Sequence, residues 1–317
     1  MQDLYFGDVG DYGKYGLLRA LSLPSGSEPG LRLGVVWYLS DVQTSAADGK
    51  HVSYLDQPSL FRSCDPVLFD ALRKHRDSHA RRAVSALEDM RVLPPNTAYF
   101  RELLKLDVPN PEGARLAWAR AALAASEQCE IVFLDPDNGL EIKSVSPTSA
   151  HGAKYVSDSE LGLFLARSDQ TVIVYQHQPH ESDWLEKALE RIRGLAEDRP
   201  TPYAVIYHRG TQRAYLIAPA RTHAGMVYDR VHSLLRSEWS HDFTLVWVRS
   251  GTGTQPVIGR HKSDRPEQQR PRGQAPATVH HRAYSYTTRD GRIVHVAAHE
   301  ERLSAIQQAA RNRRRRV

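Results

Sequence analysis

The sequence predicts an α/β protein with a doubly wound, mostly parallel, Rossmann-like sheet and a basic C-terminal extension. Three observations lead there. Compact apolar runs bounded by turn residues alternate with helical periodicities along residues 1–249, the pattern of strands buried on both faces and joined by helices. The residues leaving each apolar run are polar, as expected where an open sheet binds its ligand. The alternation then stops near residue 250, where Gly, Pro, Gln and Arg take over.

The elements follow in order. Residues 11–23 are expected to be a helix, with Leu17, Leu18 and Leu21 on one face. After a Ser/Pro/Gly loop, the run from Leu33 to Leu39 reads as a doubly buried strand. Residues 66–91 and the Ala-rich 111–127 are expected to be helical, and residues 130–134 form the next strand, ending on Asp135. A helix at 158–166 precedes a strand at 171–175. A helix at 181–197, with Trp184, Leu185, Ala188, Leu189 and Ile192 on one stripe, precedes a strand at 203–207. Residues 213–217 and 243–248 are expected to pair with each other as terminal antiparallel strands flanking a helix at 222–237. Residues 250–278 read as a linker. Residues 279–317 read as a small basic arm: a hairpin over 282–297 turning at Arg289-Asp290-Gly291, then a short helix ending in Arg313, Arg314, Arg315 and Arg316.

Composition narrows the class. About 41% of the 317 residues are apolar, enough for a sizeable core, yet no run approaches the roughly 18 apolar residues of a membrane span. The first residues lack the basic and apolar regions of a signal peptide. Two cysteines, Cys64 and Cys129, are too few for a disulfide framework. A cytoplasmic protein is expected. The net charge of +5 is unevenly distributed: residues 250–317 carry 14 Lys and Arg against 5 Asp and Glu, whereas residues 1–249 carry 28 against 32. A basic tail on a mildly acidic domain fits either nucleic-acid contact or a solubilising segment.

The polar strand ends carry the chemistry. They are Ser40-Asp41, Asp135-Pro136-Asp137-Asn138, Gln176-His177-Gln178-Pro179-His180 and His208-Arg209-Gly210. The tetrad at 135–138 is the sharpest of them. Asp135 sets a carboxylate at the lip of the sheet, Pro136 fixes φ and removes a donor, and Asp137 and Asn138 add acceptors before Gly139 permits a tight turn. A structural turn capped by Asp135 is the alternative reading. A second cluster, Gly7-Asp8-Val9-Gly10-Asp11-Tyr12-Gly13-Lys14-Tyr15-Gly16, runs four glycines into a helix. It suggests either an anion at the helix N-terminus with Lys14 beside it or a lead-in that packs on the sheet. It is not a P-loop. A third, Asp48-Gly49-Lys50-His51, stands where a nucleotide-binding fold would carry its glycine-rich turn, but the G-x-G-x-x-G fingerprint is absent. Asp41, Asp135 and Asp137 could together hold Mg²⁺. His177 and His180 are three apart without a helical frame or a Cys partner, a poor zinc pair.

These motifs, in this order, resemble a class I S-adenosylmethionine-dependent methyltransferase, and more narrowly the ribosomal-RNA adenine-N6 methyltransferases. Gly7-Asp8-Val9-Gly10-Asp11 with Lys14-Tyr15 is similar to that family's opening stretch, Ser40-Asp41 to its nucleotide loop, and Asp135-Pro136-Asp137-Asn138 to its catalytic Asp-Pro-Pro-Tyr. The resemblance spans roughly residues 3–220 in the order of elements. It implies S-adenosylmethionine as cofactor, bordered by Lys14, Tyr15, Ser40, Asp41, Gly49, Lys50 and His51. It implies a catalytic set of Asp135, Pro136, Asp137 and Asn138, in which Asp135 and the Pro136 carbonyl take the target amine, with His177 at the neighbouring strand end. Asp137-Asn138 stands where the family has Pro-Tyr, so the stacking ring is missing.

Three functions are therefore expected in competition. The first is a nucleic-acid amino-methyltransferase whose basic tail holds phosphates. The second is an Mg²⁺- or Mn²⁺-dependent hydrolase or nuclease built on Asp41, Asp135 and Asp137 with His177 or His208. The third is a non-enzymatic adaptor that delivers the tail to nucleic acid.

Overall fold

The computed structural model describes residues 3, 6–41, 51–179, 181–196 and 198–247, together with four short strands between residues 278 and 302. The chain divides into two compact units, Met1–Phe243 and Thr244–Val317. The helices are α1 (Val9–Ser22), α2 (Pro58–Phe61), α3 (Pro66–Asp77), α4 (Ala86–Met90), α5 (Pro111–Ala125), α6 (Asp158–Leu165), α7 (Trp184–Leu195) and α8 (Ala224–Arg236). The strands are β1 (Leu33–Trp37), β2 (Ala98–Phe100), β3 (Ile131–Asp135), β4 (Gly139–Leu140), β5 (Tyr155–Val156), β6 (Thr171–His177), β7 (Tyr203–Tyr207), β8 (Arg213–Ala218) and β9 (Phe243–Val246). Beyond them lie β10 (Thr278–His281), β11 (Tyr284–Thr287), β12 (Ile293–Val296) and β13 (His299–Arg302).

The α/β class expected from the alternation is the one observed. Seven strands form one sheet in the order β2-β1-β3-β6-β8-β7-β9. β2, β1, β3 and β6 run parallel, and β8 is antiparallel to both β6 and β7. Every residue of β1, β3, β7 and β8 is buried, which is why these strands read as continuous apolar runs rather than alternating ones.

Strand alternation assigns the two faces. Trp37 pairs with Asp135, Tyr175 with Tyr215, and His177 and Tyr207 with Arg213, so all of these side chains share one face. Helix α1 lies on that face and packs with α3 and α8. Tyr38, one residue beyond Trp37, meets Trp118 of α5 at 4.7 Å between ring centroids on the other face, where α5, α6 and α7 pack in succession.

Glycines set how closely α1 approaches the sheet. Gly10, Gly13 and Gly16, three apart on one stripe, face Arg213, Tyr207 and Trp239. A Cβ on Gly13 would stand 2.5 Å from the Tyr207 ring, and that ring is fully buried with nowhere to withdraw. Gly13→Ala is expected to destabilise the fold by about 1–3 kcal/mol through overpacking, read as a lower urea midpoint at unchanged slope.

Three expectations need correction. The helix expected over 66–91 is two helices: α3 ends at Asp77, His79 takes a left-handed φ of 54°, and the chain resumes helix only at Ala86. The intervening segment serves other partners. Arg82 donates to the Phe6 carbonyl, and the Val84 N–H donates to Asp3. Second, β8 does not pair with β9. The tight connection at 208–212, with Gly210 at a φ of 71°, makes β7 and β8 a hairpin, and β8 inserts between β6 and β7 while β9 lies beyond β7. Third, β2 was not legible, being only three residues long.

In the second unit, β10 pairs antiparallel with β13 and β11 with β12. The second pairing agrees with the hairpin expected over 282–297. Its turn, the 250–277 part of the linker, and Arg313 to Arg316 lie outside the described residues. Among the described residues no helix is long and apolar enough to cross a membrane.

Candidate functional site

Among the strands of this sheet, the first four follow the order 2-1-3-4, so the order reverses between β1 and β3. At such a switch point the two connections leave in opposite directions and open a crevice at the carboxyl ends of the strands. Trp37 and Asp135, the last residues of β1 and β3, are in register there. Ser40-Asp41 and Asp135–Asn138 therefore leave the sheet side by side, as two of the four polar strand ends compared in the sequence.

Asp135 turns toward α1. Its carboxylate accepts from Lys14 Nζ at 2.8 Å, and the same ammonium donates to Asp11 at 2.8 Å. All three side chains are buried. Asp11 also accepts from the Tyr15 hydroxyl at 3.0 Å and from the Gly7 N–H at 3.1 Å. Asp8 caps α1 by accepting from the Asp11 N–H at 2.8 Å and faces Arg213 at 3.5 Å. The rings of Tyr175, Tyr15 and Trp37 surround the ammonium, their centroids 5.5–5.8 Å from Nζ. This arrangement couples the N-terminal helix to the centre of the sheet across 121 residues of sequence.

The electrostatics follow from burial. Burial alone would lower the Lys14 ammonium's pKa, but Asp11 and Asp135 together hold it above its ordinary value. Burial lifts the Asp135 carboxyl, and Lys14 pulls it back. Burial and the neighbouring Asp11 raise Asp8, against the pull of Arg213. His177 shares the face with Arg213, and burial and that guanidinium both lower its pKa, favouring a neutral imidazole.

The other half of the tetrad is a supported turn. Asp137 faces Lys154 at 3.8 Å. The Asn138 N–H donates to the Lys154 carbonyl at 3.0 Å, and the Asn138 carbonyl accepts from the His177 N–H at 3.1 Å. Gly139 has a φ of 120°, and the Gln176 amide fills the space its Cβ would need. That amide accepts from the Leu140 N–H at 2.9 Å and donates to the Asn138 carbonyl at 3.2 Å. Asn138 and Gly139 thus do the work of a turn, and Pro136 is buried beneath them.

The remaining residues singled out from the sequence are dispersed. Lys14 and Tyr15 lie inside the α1–sheet contact, where the glycines serve packing and carboxylates rather than an anion surround Lys14. Asp41 is exposed, and the Ser40 hydroxyl is buried without a hydrogen-bond partner among the described residues. The exposed His51 contributes its carbonyl, which accepts from the Val9 N–H at the start of α1. Gly49, Lys50 and His180 lie outside the described residues. His208 is half-buried at the end of β7. Among the described residues no three carboxylate, imidazole or thiol side chains gather to hold a metal ion. The Asp41–Asp135–Asp137 cluster that the hydrolase alternative needs is therefore not assembled there, Asp135 and Asp137 each facing a lysine instead.

Comparison with protein-family models, with curated proteins and with solved structures found no match.

Proposed function

We propose that this chain is an adenosyl-cofactor-binding α/β protein that acts on nucleic acid in the cytoplasm, with S-adenosylmethionine as the cofactor to test first. The observation that carries this reading is the reversal of strand order between β1 and β3, which brings Ser40-Asp41 and Asp135 to one crevice. Asp41 is suited to accept the ribose hydroxyls, the task of an acidic residue at a strand end in dinucleotide-binding folds. The unpartnered Ser40 hydroxyl beside it adds a donor and acceptor for the same ligand. S-adenosylmethionine supplies an activated methyl group when bound. In this reading Asp135 does not touch the acceptor amine. It acts through Lys14 as a positioning residue that fixes α1 over the carboxyl edge. The basic excess of residues 250–317 supplies sequence-independent phosphate attraction.

Calorimetric titration of the full chain with S-adenosylmethionine tests the proposal. Binding is expected, and Asp41→Ala should weaken it by at least about tenfold through loss of a charge-assisted hydrogen bond while leaving the melting temperature unchanged. A folded sample that takes up no ligand at millimolar concentration overturns it.

A further inference from the structure

Three hydrogen-bonding atoms on the α1 face of the sheet have no partner among the described residues: Trp37 Nε1, Tyr207 Oη and Tyr215 Oη. All three side chains are wholly buried. Their positions are related. Trp37 is in register with Asp135 on one side. Tyr215 is in register with Tyr175, whose ring is 5.5 Å from Lys14 Nζ, on the other. Tyr207 lies in the next row, opposite Arg213. The unpartnered groups thus bracket the Lys14–Asp135 pair beneath α1. Buried polar groups in native proteins are nearly always hydrogen-bonded, to protein or to an ordered molecule. Three unpartnered groups on one covered face therefore point to an occupant.

We propose that the face under α1 is a binding site for a small neutral hydrogen-bonding molecule, and that water fills it. Charge and donor inventory select the class. Asp8, Asp11 and Asp135 set three carboxylates against the two cations Lys14 and Arg213, which disfavours an anion. The cationic positions are already taken by Lys14 and Arg213. Trp37 can only donate, while the two phenols can donate or accept. A water accepting from the indole or a phenol, and donating to a free carboxylate lone pair, meets the two to four partners that a buried water requires. It would extend the Asp11–Lys14–Asp135 pairing into a continuous hydrogen-bonded row from β1 to β8. This inference does not depend on the cofactor proposal.

The test is magnetisation transfer from water to indole protons in the ¹⁵N-tryptophan-labelled full chain, with the Trp37 resonance among the five tryptophans assigned from Trp37→Phe. A direct water cross-peak at the Trp37 indole is expected, and its absence overturns the proposal. Tyr215→Phe gives an independent reading. If its hydroxyl binds water, the melting temperature should fall by about 2–4 °C, the loss of one hydrogen bond in a domain of this size. An unchanged or higher melting temperature overturns the proposal, because removing an unsatisfied buried hydroxyl costs nothing. Should that variant fail to fold, the indole cross-peak decides.

Discussion

Lys14→Met is expected to cost about 3–5 kcal/mol of folding stability, the penalty for removing one partner of a buried ion pair. The substitution keeps side-chain length and apolar stem but leaves Asp11 and Asp135 facing each other without the ammonium that both contact at 2.8 Å. Neither carboxylate can move to water, since both lie under α1. The loss should also acquire a particular pH dependence. Burial already raises the Asp135 carboxyl above its ordinary 3.8, and Lys14 opposes that rise; without Lys14 it rises further. A carboxyl whose folded pKa lies above its unfolded value contributes stability that is full below the unfolded value and is lost as pH rises through the folded one. The variant should therefore gain stability on acidification from pH 7 toward the ordinary carboxylate range, more steeply than the parent. Urea unfolding at several pH values measures this. A parallel offset between the two profiles would show that Asp135 is not the group left stranded. Adding Asp135→Asn to Lys14→Met should restore part of the loss and flatten the profile, because a neutral amide replaces the buried charge.

The same contact shows what the sequence could and could not convey. Strand runs such as 131–135 and 203–207 were legible because both faces are covered, which leaves uninterrupted apolar stretches with a polar residue at the exit. The prominence of Asp135 followed from that exit position. Its partner did not. Lys14 and Asp11, three apart on a helix, are spaced to share a face, yet nothing local says that this face meets a strand 121 residues away. The glycines at 10, 13 and 16 admitted two readings, an anion cradle or a close packing stripe, and only the positions of Arg213, Tyr207 and Trp239 select the second. Arg213 itself looked like an ordinary strand-start residue. The mispaired terminal strands have a similar origin. Alternation marks which segments are strands, but the insertion of β8 between β6 and β7 depends on the turn at 208–212, which outweighed the order of elements.

Arg115→Met should have an effect as large as that at Lys14, and it would reach the candidate site indirectly. Arg115, on α5, is buried and forms a bidentate pair with the buried Glu160 at 2.7 and 2.8 Å. Its remaining N–H groups donate to the carbonyls of Pro147 at 2.5 Å, Gly152 at 3.0 Å and Tyr155 at 2.6 Å. One guanidinium therefore satisfies most of the backbone acceptors of the 147–155 loop, together with the capping-box glutamate of α6. The planar fork is what permits five such bonds, and a lysine could not replace it. Removing it strands a buried carboxylate and three carbonyls, at an expected cost of about 3–5 kcal/mol. The consequence for the site comes through Lys154. Its carbonyl accepts from the Asn138 N–H, and its ammonium faces Asp137. Loosening the 147–155 loop should thus free the Asp137-Asn138 turn before the rest of the sheet, because that turn's other support, Gln176 on β6, is independent of Arg115. Hydrogen exchange is expected to rise at Asn138 and Gly152 in Arg115→Met while Phe133 and Ile173, in the centre of the sheet, stay protected to the new global limit. Uniform acceleration at all four positions would mean that Arg115 stabilises the whole domain without any preferential hold on the carboxyl edge.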